Sequence, residues 1–279
     1  MVEVTRDFVR GVLPIRDREA HKGDFGKVHI VAGSVGFTGA PWFASSAAVR
    51  TGSGLVFLSV PQEVWPVLAV KCNESMPSPL PEYSVLLEKM NGADACLIGP
   101  GLGRSKAADT RTVHLVRDLL PPLVLDADGI NAVSRHIDAL DARWDRLTVL
   151  TPHDGEFLRL TGEREIGPDR EQAARRFAQR HGCILVLKGH RTITAFPDGD
   201  TFVNTTGNPG MAKGGSGDLL AGMILSLLGQ GIAPKKAVPA AVWLHGKAGD
   251  LAANRLGEYG MTPTDLLAEI PNAILEAMP

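Results

Sequence analysis

Short apolar segments alternate with amphipathic segments along most of the chain, and this alternation predicts the secondary structure. Six segments are nearly continuous in Val, Ile and Leu, as expected for parallel strands that are buried on both faces. They are residues 28–33, 55–60, 95–101, 123–129, 147–153 and 183–189. Residues 105–120 and 168–182 have helical spacing, with Pro168 expected at the first helical position and Gly182 just past the end. The order predicts an α/β fold with a mostly parallel central sheet and helices on both faces.

Residues 192–204 depart from this alternation. Two short β-like segments flank a turn at residues 197–200, which predicts a hairpin that closes the edge of the sheet. The C-terminal third is helical and rich in small residues, with one amphipathic helix from Leu219 onward. No repeat, linker or low-complexity segment divides the sequence, so we expect residues 1–279 to form a single domain.

Composition and charge restrict the class of protein. Hydrophobic residues make up 44% of the chain and charged residues 22%, which is typical of a globular protein with a sizeable core. The net charge of −2 argues against non-specific nucleic-acid binding, so an anionic ligand would be held by local donors. The sequence has no signal peptide and no bilayer-spanning segment, and Cys96 and Cys183 lie in apolar segments as buried thiols would. These features predict a cytoplasmic protein without a membrane partner.

Groups that commonly bind ligands follow five of the predicted strands. They are Gly33 and Ser34, residues 99–103, Asp126 and Asp128, His153, and Lys188 with Gly189. Such residue types are common in any loop, but in open parallel sheets ligands bind beyond the carboxyl ends of the strands. Such groups at the ends of five of the six predicted strands therefore favour one shared crevice.

The strongest signal is the turn GGSGD at residues 214–218, directly ahead of the predicted helix. Glycines let the backbone turn tightly and approach a ligand, and the N–H groups and positive dipole of a helix N-terminus attract anions. The turn lacks the P-loop spacing, yet it predicts a phosphate cradle. Its members are Gly214, Gly215, Ser216 and Gly217.

Asp218 has two interpretations. An Asp near a helix start commonly caps the helix. A carboxylate beside an anion-binding turn would also repel a phosphate, unless it accepts a proton from an attacking hydroxyl. We favour the second interpretation, in which Asp218 is a catalytic base.

Three further segments supply candidate ligand groups. After the sixth strand, Lys188 could neutralise phosphate charge, and the residues that follow add donors, although charged residues also occur at ordinary solvated strand ends. After the fifth strand, Glu156 could help to organise a metal–water shell or could favour the dipole of the next helix. Residues 98–105 predict a close backbone approach to a ligand, with Ser105 as the N-cap of the following helix.

Six motifs carry a resemblance to a known family. In chain order they are HKGDFGKVHIVAGS, LIGPGLG, LVLDADGIN, LTPHDGEF, VLKGHRT and GNPGMAKGGSGDLLAG. This set resembles the ADP-dependent NAD(P)H-hydrate dehydratases, from about His21 to the C-terminal helices. The resemblance implies a ribokinase-like three-layer sandwich. Longer family members carry an epimerase domain, and this chain looks like a stand-alone dehydratase.

The resemblance also implies an activity, that of a lyase which repairs nicotinamide cofactors. ADP would phosphorylate the ring hydroxyl of the S-form of hydrated NADH or NADPH, and elimination of phosphate would restore the cofactor. By position, Asp218 would be the base, and Gly217 with its neighbours in the 214–217 turn would hold the phosphoryl group. The implied contacts to the hydrated dinucleotide are Ala40, Gly103, His153 and Asp218. The implied nucleotide-binding residues are Lys188, Gly189, His190, Arg191 and Thr192.

Further properties follow from the resemblance alone. Mg²⁺ is implied, whereas Glu156 is the candidate metal residue from the residue pattern itself. Where many ribokinase-like kinases have Asn-x-x-Glu, this chain has residues 153–156 as His-Asp-Gly-Glu, which leaves His153 for the substrate. A homotetramer and a separate NAD(P)H-hydrate epimerase are the implied partners. A vitamin-precursor kinase of the same fold and a non-catalytic nucleotide sensor are the competing hypotheses.

Overall fold

The computed structural model describes residues 1–278, and a ten-stranded sheet runs through its centre. The strands are β1 (Val2–Glu3), β2 (Lys27–Val31), β3 (Leu55–Val60), β4 (Met76–Pro79), β5 (Ala95–Ile98), β6 (Leu123–Leu125), β7 (Thr148–Leu150), β8 (Ile184–Leu187), β9 (Ile193–Ala195) and β10 (Thr201–Val203). Their order across the sheet is β1-β10-β9-β8-β7-β6-β5-β2-β3-β4. Neighbours from β8 to β4 are all parallel, and β9 is antiparallel to both strands beside it.

Twelve α-helices cover the two faces of the sheet in the described part of the chain. They are α1 (Arg6–Arg10), α2 (Gly39–Arg50), α3 (Trp65–Lys71), α4 (Tyr83–Asn91), α5 (Lys106–Asp118), α6 (Asp128–Ser134), α7 (Ile137–Asp141), α8 (Asp154–Thr161), α9 (Arg170–His181), α10 (Ser216–Gly229), α11 (Pro234–Gly260) and α12 (Pro263–Ala277). Helices α4 to α9 share one hydrophobic core, and the other six share a second. Along β5, Leu97 belongs to one core while Cys96 and Ile98 belong to the other. The predicted three-layer α/β architecture is therefore confirmed.

All six predicted strands form, but five of them end earlier than the apolar pattern does. The segment predicted at 95–101, for example, leaves the sheet after Ile98. Gly99 has φ 135°, a conformation that side-chain-bearing residues rarely adopt, and a Cβ there would collide with the carbonyl oxygen of Asp126. Turn chemistry, not hydrophobicity, sets the end of this strand, and the glycine brings two strand ends into contact.

The hairpin at 192–204 forms from β9 and β10, but it does not close the sheet edge as predicted. Residues Val2 and Glu3 pair in parallel with Phe202 and Val203, so β1 lies outside the hairpin. The prediction missed β1 because two residues carry no readable periodicity.

The opposite edge strand, β4, was also missed, since its sequence MPSP contains two prolines, which usually argue against a strand. The backbone N–H of Leu80 donates to the carbonyl oxygen of Val60 (2.7 Å). Backbone groups alternate in direction along a strand, so those of Ser78 and Met76 also face β3. Pro77 and Pro79 therefore face outward, and the indole N–H of Trp65 donates to the carbonyl of Pro77 (3.2 Å).

Two predicted helix starts need correction. The helix after residue 168 begins at Arg170, with Asp169 as N-cap accepting from the N–H of Gln172, so Pro168 lies ahead of it. Its predicted end is confirmed, because Gly182 is left-handed with φ 60°. Helix α10 begins at Ser216, three residues before the predicted Leu219, because Gly215 with φ 110° is its N-cap. Asp218 consequently lies in the first turn of α10.

Two cysteine thiols and one arginine are among the polar groups buried in the cores. The thiols of Cys96 and Cys183 are buried as predicted, and burial raises the pKa of each to about 12. Arg143 is only 1% exposed and donates to the carbonyl oxygens of Val116 (3.2 Å), Leu119 and Pro121 (2.9 Å) at the end of α5.

Within residues 1–278, no helix is both long and apolar enough to cross a membrane.

Candidate active site

The carboxyl ends of the parallel strands meet in one crevice, as the strand-tail pattern predicts. After β2, the N–H of Gly33 donates to Pro100 (2.8 Å), and the hydroxyl of Ser34 donates to the carbonyl of Gly101 (2.8 Å). Ala40 of α2 packs on the same loop, since a Cβ added to Gly101 would lie 3.0 Å from the Ala40 Cβ. The segments after β2 and β5 thus form one wall.

A strained junction between β6 and α6 directs two carboxylates into the crevice. Ala127 has φ 48° and ψ −115°, a conformation that L-residues adopt only when the surrounding structure enforces it. Asp126 before it is buried and faces Lys188, whereas Asp128 after it accepts from the backbone N–H of Gly103 (2.9 Å). The N–H of Gly103, a predicted substrate residue, is therefore engaged by Asp128.

Lys188 connects this junction to the glycine turn. Its ammonium lies 3.0 Å from Oδ1 of Asp126 and 3.9 Å from Oε2 of Glu156, and the Thr151 hydroxyl donates to the same Asp126 oxygen (2.7 Å). A Cβ added to Gly217 would lie 3.3 Å from the Lys188 nitrogen. Burial disfavours the charge of Lys188, but Asp126 and Glu156 outweigh burial and raise its pKa. The structure thus places a permanent cation beside the predicted phosphate cradle.

Helix α2 fixes the glycine turn from the other side. Gly215 has φ 110°, and a Cβ on it would lie 2.7 Å from the ring of Phe43 and 3.2 Å from Pro263. Nothing lies within 4 Å of the corresponding position on Gly214, which is exposed. Only one of these two adjacent glycines is therefore required by packing.

This difference gives a matched pair of variants. Gly215→Ala is expected to displace the turn, because the new methyl group meets Phe43 and the left-handed conformation becomes strained by about 1–3 kcal/mol. We expect the kcat of the phosphoryl transfer proposed below to fall at least ten-fold, and we expect a lower melting temperature. Gly214→Ala is the control for packing and should leave the melting temperature nearly unchanged, because a Cβ there meets nothing within 4 Å. Equal effects of the two variants on kcat and melting temperature would contradict this account of Gly215.

Asp218 faces the crevice without the hydrogen bonds of a capping residue. Its N-cap neighbour is Gly215, and within residues 1–278 the Asp218 carboxylate accepts no hydrogen bond. Burial raises the pKa of Asp218 to about 7, and the negative charge of Asp126 adds to the shift while Lys188 opposes it. A carboxyl with a pKa near neutrality is suited to accept a proton at physiological pH.

Only part of the predicted nucleotide-binding segment after β8, residues 188–192, lies close to the glycine turn and Asp218. Gly189 has φ 150°, and the Thr192 hydroxyl donates to its carbonyl (3.0 Å) and accepts from its N–H (3.3 Å). His190 and Arg191 are exposed, and Arg191 is left-handed with φ 59°. The segment is a tight loop whose long side chains extend to solvent, and only Lys188 points at the glycine turn.

His153 and Glu156 form the reciprocal cap of α8. Nδ1 of His153 accepts from the N–H of Gly155 (3.0 Å), and Oε2 of Glu156 accepts from the N–H of His153 (2.9 Å). His153 is exposed toward solvent, while Glu156 is buried beside Lys188. Both residues therefore have a structural role in addition to the ligand roles predicted for them.

The acidic side chains of the crevice can be compared with the ligands that a metal ion would need. Residues 1–278 contain no group of three or more His, Cys, Asp or Glu side chains arranged to hold an ion by themselves. Mg²⁺ commonly needs only one or two carboxylates, since water and substrate phosphates complete its shell. Oε1 of Glu156 lies 3.6 Å from Nε2 of His153, too far for a hydrogen bond, and so retains acceptor capacity. The residues present fit a metal that enters with a nucleotide.

Sequence reasoning missed His245. It lies in the middle of α11, and its Nε2 is 2.9 Å from the carbonyl oxygen of Ser216 in the glycine turn. Burial lowers the pKa of His245 to about 4, the hydrogen bond to Ser216 opposes this shift, and the charge of Lys188 adds to it. A single His within a helical pattern gives no motif signal, so only the tertiary structure reveals the contact.

The sequence of this chain matches proteins of a known family over most of its length. Residues 28–272 match the profile of a family described as NAD(P)H-hydrate dehydratase. The chain belongs to this family. The relatives of this dehydratase-family chain include a bifunctional NAD(P)H-hydrate repair enzyme from Moorella thermoacetica, 43% identical over 96% of this chain and 53% of that protein. An ADP-dependent (S)-NAD(P)H-hydrate dehydratase from Neisseria meningitidis is 38% identical over 88% of this chain and 83% of its own length.

Solved structures agree with the family assignment. The ADP/ATP-dependent NAD(P)H-hydrate dehydratase of Bacillus subtilis, co-crystallised with ATP/Mg²⁺, superimposes with a TM-score of 0.84 at 32% identity, covering 99% of this chain and 98% of that one. A ribokinase-like superfamily protein from Enterococcus faecalis gives a TM-score of 0.87 at 28% identity, covering 99% and 96%. The predicted ribokinase-like fold and the predicted family are both confirmed. The chain spans about half the length of the bifunctional relatives.

Proposed function

We propose that this dehydratase-family chain is a lyase that restores hydrated NADH and NADPH, acting on the S-form with ADP as phosphoryl donor. The observation that carries the proposal is the unpartnered Asp218 carboxylate in the first turn of α10, beside the glycine turn and Lys188. A carboxylate beside a bound phosphate group is repelled by it, so its presence at an anion-binding turn is explained if it accepts a proton during the reaction. Relatives named as ADP-dependent (S)-NAD(P)H-hydrate dehydratases support the choice of substrate and donor.

The residues of the crevice divide the proposed reaction between them. Asp218 accepts the proton of the ring hydroxyl, whose oxygen then attacks the terminal phosphorus of ADP while the bond to AMP breaks. The N–H groups of the 214–217 turn and the ammonium of Lys188 stabilise the charge on the transferred group. The lone pair of the ring nitrogen then expels phosphate, which leaves far more readily than hydroxide. Loss of a proton from the neighbouring ring carbon to water or to the departing phosphate then restores the double bond of the dihydronicotinamide.

The remaining predicted residues are proposed to bind ligands around this centre. Ala40, Gly103 and His153 would contact the hydrated dinucleotide, and Gly189, His190, Arg191 and Thr192 would contact the nucleotide diphosphate. Glu156 would help to hold Mg²⁺ with its water shell, and the ion would offset phosphate charge. Co-crystallisation of the B. subtilis enzyme with ATP/Mg²⁺ supports this choice of metal.

The setting of the enzyme is also part of the proposal. We propose a single-domain cytoplasmic enzyme that assembles as a homotetramer. It would work beside a separate NAD(P)H-hydrate epimerase, which would interconvert the two epimers of the hydrate. The bifunctional repair enzymes among the relatives support such a connection.

A direct assay tests the reaction. Purified protein is incubated with hydrated NADH or NADPH, Mg²⁺ and either ADP or ATP, and the recovery of dihydronicotinamide absorbance is followed together with phosphate release. We expect recovery with ADP and stoichiometric formation of AMP and phosphate. Accumulation of a stable phosphorylated alcohol would instead identify a small-molecule kinase of this fold, and nucleotide binding without turnover would identify a sensor.

The pH dependence of this reaction follows from the raised pKa of Asp218. A base must be unprotonated, so kcat/KM should rise with pH and reach half of its maximum near pH 7, where the pKa of Asp218 lies. An Asp with its ordinary pKa of 3.8 would give a flat profile from pH 5 to pH 8. The profile should be measured at constant ionic strength, and a flat result would argue against Asp218 as the base.

A further inference from the structure

The first turn of α10 has to be held in place without the usual side-chain cap. Its N-cap residue is Gly215, which has no side chain to accept from the N–H groups that follow. Those N–H groups are the donors that the proposed function, on which this inference rests, uses to hold a phosphoryl group. Some other contact must therefore fix their direction when no ligand is present.

That contact comes from the side of α11. Nε2 of His245 lies 2.9 Å from the carbonyl oxygen of Ser216, which is buried. A carbonyl can only accept, so Nε2 of His245 carries the proton and donates. The imidazole remains neutral at physiological pH, because burial lowers its pKa to about 4 and an imidazolium would also face the charge of Lys188. His245 is thus a constant donor rather than an acid or base.

The part of α11 around His245 packs tightly against residues 206–211, which lead into the glycine turn. A Cβ on Gly246 would collide with the side chain of Thr206, whose hydroxyl donates to the carbonyl of Trp243 (2.9 Å). A Cβ on Gly249 would collide with Met211. This close packing fixes the position of the helical backbone that carries His245.

We propose that His245 is a positioning residue for the phosphoryl site, acting through the peptide group between Ser216 and Gly217. The carbonyl of Ser216 and the N–H of Gly217 belong to one peptide group, so a hydrogen bond to that carbonyl polarises the N–H on its other side. His245 therefore fixes the orientation of the Gly217 N–H and strengthens it as a donor toward phosphoryl oxygens. Nothing in this role requires His245 to touch a ligand.

Two substitutions separate this role from simple packing. His245→Phe keeps a ring of similar size but removes the donor, and we expect kcat to fall about ten-fold, the usual worth of one hydrogen bond, with a smaller rise in the KM for the hydrate. His245→Gln keeps an N–H donor of similar reach and should recover kcat to within about three-fold of the parent. His114→Phe and His114→Gln, at an exposed position of α5 edge-on to Tyr83, are the controls and should change neither constant.

Equilibrium binding keeps the test independent of the proposed reaction. The affinity for ADP with Mg²⁺, measured by calorimetry, should fall several-fold in His245→Phe and recover in His245→Gln. If the parent protein restores no hydrate, the proposed function fails, and the binding series still decides the role of His245. Parent-like kcat and ADP affinity in His245→Phe, or equal losses in both His245 variants that follow their melting temperatures, would overturn the positioning role.

Discussion

Asp218→Asn is expected to lower the kcat of the proposed cofactor repair by about 10²- to 10⁴-fold while the protein still folds and binds ADP. Removing a positioned general base typically costs 10²–10⁴-fold, and an amide cannot accept the hydroxyl proton. The measurement is recovery of dihydronicotinamide absorbance from the hydrate. Asp7→Asn, in the first turn of α1 and exposed, is the matched control and should retain full activity. Turnover by Asp218→Asn comparable with the parent would contradict the assignment of the base.

The same variant is expected to be more stable than the parent at neutral pH. The pKa of Asp218 is about 7 in the folded protein and 3.8 without the fold, so between these values the unfolded chain is ionised while the folded one holds the proton. Folding stability from this group therefore falls as pH rises from about 4 to 7. Asp218→Asn should raise the melting temperature at pH 8 and leave it nearly unchanged at pH 4. A lower melting temperature at pH 8 would show that the carboxylate stabilises the fold.

Arg143→Met is expected to destabilise the fold by about 3–5 kcal/mol, because each buried acceptor left without a donor costs about 1–3 kcal/mol. The guanidinium is 1% exposed and holds three carbonyl oxygens, so Met would leave buried acceptors without donors. The free energy of unfolding in urea measures the loss. Arg117→Met, at an ion pair with Asp138 whose side chains are 40% and 67% exposed, should cost less than about 1 kcal/mol. Similar losses for both variants would contradict the special role of burial at Arg143.

The cores of the strands were readable from the sequence because burial on both faces leaves a continuous apolar run. Strand ends and sheet edges were not. Gly99 ends β5 through its left-handed φ, and β1 is too short for any pattern to register. The hydrophobicity of a segment indicates whether it is buried in the core. The residue at which a strand ends depends instead on backbone geometry and on contacts with distant segments.

The candidate site shows the same division. The glycine turn, Asp218 and Lys188 could be found because their residue types and positions after a strand or before a helix have direct chemical meaning. The strained Ala127, the packing of Phe43 on Gly215 and the contact of His245 with Ser216 could not. Each of these depends on residues that are far apart in the sequence or on a backbone conformation that Ala seldom adopts.

The edge strand β4 restricts how this protein can associate with other chains. Pro77 and Pro79 offer no N–H on the outward side, and the Pro77 carbonyl already accepts from Trp65. An additional strand needs a ladder of alternating donors and acceptors, so it finds no template there. Copies of this chain cannot join their sheets across this edge, which excludes continuous sheet growth there as a route to aggregation. An oligomer that approaches from this side must be built from side-chain contacts of helices and loops.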